Sequence, residues 1–241
     1  MKQHRTAVFL VLSVLAAGSV ASQFALRKAS PVSAPAAAEG VMAAIGGLRS
    51  IVTEAVWLRA DRLQREGKYV ELAQLATTLT GLEPHEPEVW SFAAWNLAYN
   101  VCAMMSSPDD RWRWILAAVR LLRDGGLRLN PRSSAVYREL SWLFELKFVK
   151  NVDPCYREYR AKWKSLVDDV AGRDAWNELG MDAGAMSAVA AKHGLKDWSS
   201  PFASAIYWSE LGLKYADPSS TDAAFMQEII RQCKIMIERG D

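Results

Sequence analysis

Near the middle of the chain, Arg111-Trp112-Arg113-Trp114 alternates a cation with a large aromatic ring. Guanidinium and indole groups carry a disproportionate share of the binding energy at protein interfaces. Two residues apart on a helix, the indoles point about 200° away from each other, so both cannot face one core. The outward one, flanked by arginines, marks a candidate surface for a partner. Upstream, Asn96, Tyr99 and Asn100 fall at three- and four-residue steps and share a helical face. They are candidates for a polar inner surface, and equally for hydrogen bonds between packed helices.

Other residue types capable of chemistry are scattered. The histidines are His4, His85 and His193, and there is no HExxH, Cys-x-x-Cys, GxGxxG, GxxxxGK[ST] or GxSxG. Asp109/Asp110 and Asp168/Asp169 are adjacent pairs, and adjacent helical residues do not converge. Cys102, Cys155 and Cys233 have no metal spacing. In an exported domain Cys102 and Cys155 would be free to pair, whereas Cys233 falls on an apolar helical face. The expectation is a binding protein without catalytic residue, metal or cofactor.

The elements that position these residues begin with an N-terminal signal. Residues 6–26 carry no charge and lie between Lys2/Arg5 and Arg27/Lys28. Twenty-one helical residues span roughly 30 Å, a hydrocarbon core. The segment reads as a retained anchor, since hydrophobicity continues through Phe24–Leu26; the alternative is a signal peptide cleaved near Ala21. Ser19 stands where a lipoprotein box would need an acylated cysteine. The chain therefore divides into 1–28 (anchor or signal), a Pro/Ala/Ser linker over 29–40, and a domain over 41–241.

Without the four bases of residues 1–28, the 29 basic residues fall to 25 against 27 acids. So neutral a body has no electrostatic footprint for nucleic acid. With 51% hydrophobic residues it can bury a sizeable core.

From Val41 onward the apolar period is helical, and no strand alternation occurs. Val41, Ile45, Leu48, Val52, Val56 and Leu63 form one stripe; Tyr69, Leu72, Leu75, Leu79 and Leu82 form the next, stopped by Pro84. Later helices are expected over Pro108–Gly126, from Asp153-Pro154, over Gly184–His193, over Pro201–Tyr215, and after Ser220 or Thr221. Ser107-Pro108-Asp109-Asp110 has capping-box spacing, and Gly125-Gly126 predicts a helix C-terminus.

One pattern is written twice. Leu82, Pro84, Val89 and Trp95 recur 47 residues later as Leu129, Pro131, Val136 and Trp142, with Trp90 answered by Tyr137. A proline closing one helix and an aromatic opening the next resembles the tetratricopeptide (TPR) repeat in a degenerate, lengthened form. Of the ten tryptophans, Trp57, Trp95, Trp142, Trp163 and Trp208 are predicted as knobs between stacked helices.

Gly46–Asp61, Glu88–Asn100, Arg111–Pro131 and Ala205–Leu213 together resemble a family of bacterial envelope proteins with TPR-like helices. The resemblance implies a membrane segment followed by a helical-repeat domain, and no catalytic residue. The combined expectation is an all-α, TPR-like solenoid anchored in the bacterial inner membrane through residues 6–26, its domain on the periplasmic side. Such a chain would serve as an adaptor for a protein partner. The alternative is a secreted or periplasmic domain that holds a small molecule or glycan between tryptophan-lined helices.

Overall fold

Gly67 sets the first boundary: its φ of +69° lies where L side chains are disfavoured, and it ends helix α1 (51–65). The computed structural model describes residues 51–150 and 152–240, and among these every regular element is helical. The segments 1–28 and 29–40, with the start of the domain expected from 41, lie outside the described residues. Among the described residues no helix is long and apolar enough to cross a membrane.

After α1 come α2 (Tyr69–Leu82) and α3, which starts as Pro87–Trp95. α3 continues through a wide π-type stretch, Asn96–Val101, into Cys102–Met104. α4 (Pro108–Arg120) likewise runs on through a π-type stretch, Leu121–Leu127. The remaining helices are α5 (Ser134–Leu146), α6 (Tyr156–Gly172), α7 (Ala183–His193), α8 (Pro201–Leu213) and α9 (Thr221–Glu238). A 3₁₀ turn, Trp176–Leu179, separates α6 from α7.

Side chains supply the N-terminal caps. Ser107 Oγ accepts from the Asp110 amide at 3.0 Å and donates to the Asp110 carboxylate at 2.7 Å. Ser133, Asp182 and Ser220 also accept an amide from the first turn of their helices. Gly194, at φ +70°, ends α7. One expected boundary is displaced: α4 does not stop at Gly125-Gly126. The π-type turns carry both glycines within the helix, because Trp90 lies against them. A Cβ on Gly125 would come within 2.4 Å of the indole.

The duplicated pattern has a common bond. Trp90 Nε1 donates to the Pro84 carbonyl at 2.9 Å, and Tyr137 Oη donates to the Pro131 carbonyl at 3.4 Å. In each copy an aromatic six residues beyond the proline returns to its carbonyl and fixes the entry angle of the next helix. The two proline loops also meet, since Asn130 Nδ2 donates to the Pro84 carbonyl at 2.9 Å.

A small apolar cluster joins α1, α2 and the start of α3 through Ala60, Leu63, Leu72, Leu79 and Val89. The main core lies beyond it and centres on α8, whose residues 201–209 are all buried. α5 and α9 pack on α8 and on each other. Gly212 lets the three helices approach: a Cβ there would lie 2.6 Å from both Tyr137 Cβ and Met226 Sδ. Gly212→Ala is therefore expected to cost about 1–3 kcal/mol, read as a lowered urea midpoint.

Candidate functional site

An open groove lies between α5 and α9. Trp142 and Phe225 meet edge to face across it, with ring centroids 6.1 Å apart. They divide it into two adjoining hollows. One, of about 320 Å³, is lined by Arg138, Glu139 and Thr221; the other, of about 370 Å³, by Glu145, Leu146, Val149 and the outer turns of α9. Both rings are shared by both hollows. The aromatic row extends onto α3: Tyr99 lies 6.1 Å from Trp142, and Trp95 stacks on Tyr99 at 5.5 Å.

Two carboxylates give the groove its electrostatics. Glu139 is only 8% exposed, and neither it nor Glu145 has a hydrogen-bond or ion-pair partner among the described residues. Burial pushes the Glu139 carboxyl up to about 7, against a smaller opposing effect from Arg138. Burial, and then the neighbouring Glu228, also raises Glu145. The one arginine lining the first hollow, Arg138, is paired with Asp222, which also accepts from Ser134 Oγ at 2.7 Å. Tyr99 senses the same field: burial raises its phenol, and the charges of Glu139 and Glu145 raise it further.

A second cluster lies behind Tyr99 and is closed to solvent. Lys147 is 3% and Asp153 7% exposed, and Lys147 Nζ donates to Asp153 Oδ2 at 2.7 Å. Asp153 Oδ1 accepts from Tyr159 Oη at 2.9 Å and from the Cys155 amide at 3.0 Å. Arg111 lies 3.6 Å from the same carboxylate. Burial alone would raise the Asp153 carboxyl; the Lys147 ammonium and the two donors outweigh it and hold it below the ordinary range. Cys102 Sγ sits 3.9 Å from both Lys147 Nζ and Tyr159 Oη. Burial nevertheless raises its thiol, opposite to what an activated nucleophile needs. The cluster clamps the α5–α6 turn to α3 and α4.

The residues singled out from the sequence are dispersed over these features. Trp112 packs inward, 6.4 Å from the rings of Phe148 and Tyr159. Arg111 is half-buried and its Nε donates to the Met105 carbonyl at 2.8 Å. Arg113 is exposed and pairs with Asp110, while half-buried Trp114 lines a shallow surface hollow with Met105 and Ala117. Asn96 is fully buried; its amide donates to the Tyr69 carbonyl at 3.2 Å and its carbonyl accepts from Asn100 Nδ2 at 3.0 Å. It ties α3 to α2. Tyr99, one turn on, is the member of that trio that joins the aromatic row. Trp163 and Trp208 are buried, whereas Trp95 and Trp142 are half-buried along the row. All three cysteines are free. Among the described residues no group of three or more His, Cys, Asp or Glu side chains is placed to hold a metal ion.

Glu139, Glu145 and Phe225 had no signal in the sequence. Each is an ordinary residue of a periodic helix, and only the packing of α9 against α5 brings them together. The chain matches no protein-family model, no curated protein and no solved structure.

Proposed function

We propose that this protein is a TPR-like helical-repeat adaptor that binds a protein partner at a bacterial envelope membrane. In this reading residues 6–26 tether the domain to the inner membrane and the domain faces the periplasm. The observation that carries the adaptor reading is the aromatic row across α3, α5 and α9, which borders an open groove. Half-buried and exposed aromatic rings at a groove supply contact area at low entropic cost, as binding surfaces require. The shared proline-to-aromatic bond in the two sequence copies supports a repeat architecture, in which stacked helices leave an extended binding face.

The test is extraction of tagged full-length protein from its own membranes in mild detergent, then affinity capture and mass spectrometry. A partner recovered in fixed stoichiometry is the expected result. Recovery of the chain alone, at the mass of a free protomer, would sink the adaptor reading. It would favour the second reading, an exported domain for a small molecule or glycan, which the hollows of about 320 and 370 Å³ support by volume.

A further inference from the structure

The groove between α5 and α9 contains a chemical imbalance that narrows what fits it. A nearly buried carboxylate normally has a donor or a cation beside it, because desolvation without one is costly. Glu139 has no hydrogen-bond donor or ion-pair partner among the described residues, and it lines the hollow. Glu145, half-buried, is a second carboxylate without such a partner on the far side of Trp142. Arg138 offsets the Glu139 charge only in part, its guanidinium being paired with Asp222. Between the two acids the floor is aromatic, and indole and phenyl faces attract a cation as well as apolar groups. Two carboxyl groups without an ion-pair partner, next to exposed aromatic surface, are complementary to a base next to an apolar side chain.

We propose that the α5–α9 groove is the docking site for an amphipathic segment of a protein partner, whose aliphatic or aromatic anchor packs between Trp142 and Phe225 while a lysine or arginine on each side of it pairs with Glu139 and Glu145. The two acids are six residues apart on one helix, about 9 Å along its axis. That distance is close to the two turns separating residues i and i+7 of a docked helix, and to three residues of an extended segment. The raised Glu139 carboxyl agrees with this pairing, since an arriving base returns it to the charged state and recovers part of its burial cost.

This inference rests on the adaptor reading, and the experiment separates the two. Full-length protein carrying benzoylphenylalanine in place of Phe225 is irradiated in its own membranes, and the joined peptide is mapped by mass spectrometry. Phe225 is 40% exposed, so the probe replaces it without disturbing the core. The expected product is one protein, joined through a segment with a Lys or Arg beside an apolar residue. Its yield should fall at least tenfold in the Glu139→Gln/Glu145→Gln background. Gln keeps the size and removes only charges without partners, so thermal unfolding of that variant should be unchanged or slightly higher, which excludes misfolding as the cause. A joined segment lacking any base, a yield indifferent to the double substitution, or products only with lipid or a second copy of this chain would overturn the groove proposal. If a partner is captured by the tagged protein yet joins elsewhere, the adaptor reading stands and this one falls. If nothing is captured and nothing joins, both fall.

Discussion

Lys147→Met should lower the folding free energy by about 3–5 kcal/mol, read as a drop in the urea midpoint at constant m-value. Methionine matches the length of the lysine stem, so the cavity term is small and the measured loss reports the ion pair. Without the ammonium, Asp153 keeps the Tyr159 hydroxyl and the Cys155 amide, but its nearest cation is Arg111 at 3.6 Å. A buried carboxylate stripped of its counter-ion carries most of its desolvation cost uncompensated. Replacing both partners, Lys147→Met with Asp153→Leu, should recover part of the loss and not all of it, because the hydroxyl and the amide then lack their acceptor. Acid unfolding supplies an independent check. The Asp153 carboxyl is held below its ordinary value, so its contribution is present above the unfolded pKa of about 3.9 and is lost as pH falls through the folded one. The wild type should therefore lose stability more steeply below about pH 4 than Lys147→Met does. An equal acid slope in both proteins would mean that the pair does not hold the carboxylate charged.

The same substitution should also reach the groove. Lys147 Nζ lies 5.0 Å from the Tyr99 ring centroid, and Tyr99 is the ring between Trp95 and Trp142. The buried clamp thus backs the central ring of the aromatic row that borders the groove.

How much of this was written in the sequence depends on how local the cause is. Ser107 with Asp110, Gly194 at the end of α7, and proline after α2 and α4 act within a few residues, and their positions matched the helix ends. Gly125-Gly126 misled for the opposite reason. Glycine pairs suit helix ends when only the backbone matters, whereas here they serve a distant indole, and no local pattern reveals that partner. The π-type stretches in α3 and α4 are similarly invisible, since Asn96–Val101 and Leu121–Leu127 have ordinary helical composition. Arg111–Trp114 drew attention because its alternation is local. The groove did not, because Glu139, Trp142, Glu145 and Phe225 come from two helices separated by three others and each fits its own helical stripe. Trp142 was legible as a knob between helices but not as the wall of an open channel.

The indole behind the misread glycines yields the second large effect. Trp90→Ala should cost about 3–5 kcal/mol, since the side chain is 6% exposed, fills the space against α4 and loses its bond to the Pro84 carbonyl. Trp90→Phe should cost less, because a ring still fills most of that space; in both variants the Pro84 carbonyl keeps the Asn130 Nδ2 donor. Gly125→Ala alone should destabilise by about 1–3 kcal/mol, as its Cβ meets a rigid ring and not a flexible side-chain end. In an open helix the same change would stabilise by about 1 kcal/mol. That difference in sign makes the double variant decisive. With Trp90 already cut back to alanine, the added methyl enters vacated space, so Gly125→Ala should turn neutral or favourable. The resulting coupling exceeds about 1 kcal/mol, well outside the additivity expected for independent sites. Additive costs would mean that the indole does not rest on Gly125, and that the π-type turns of α4 have another cause. Coupling of the expected sign would explain why the first proline loop carries tryptophan where the second carries tyrosine: only the first aromatic has a glycine pair to cover, while the Tyr137 hydroxyl makes a longer, exposed bond.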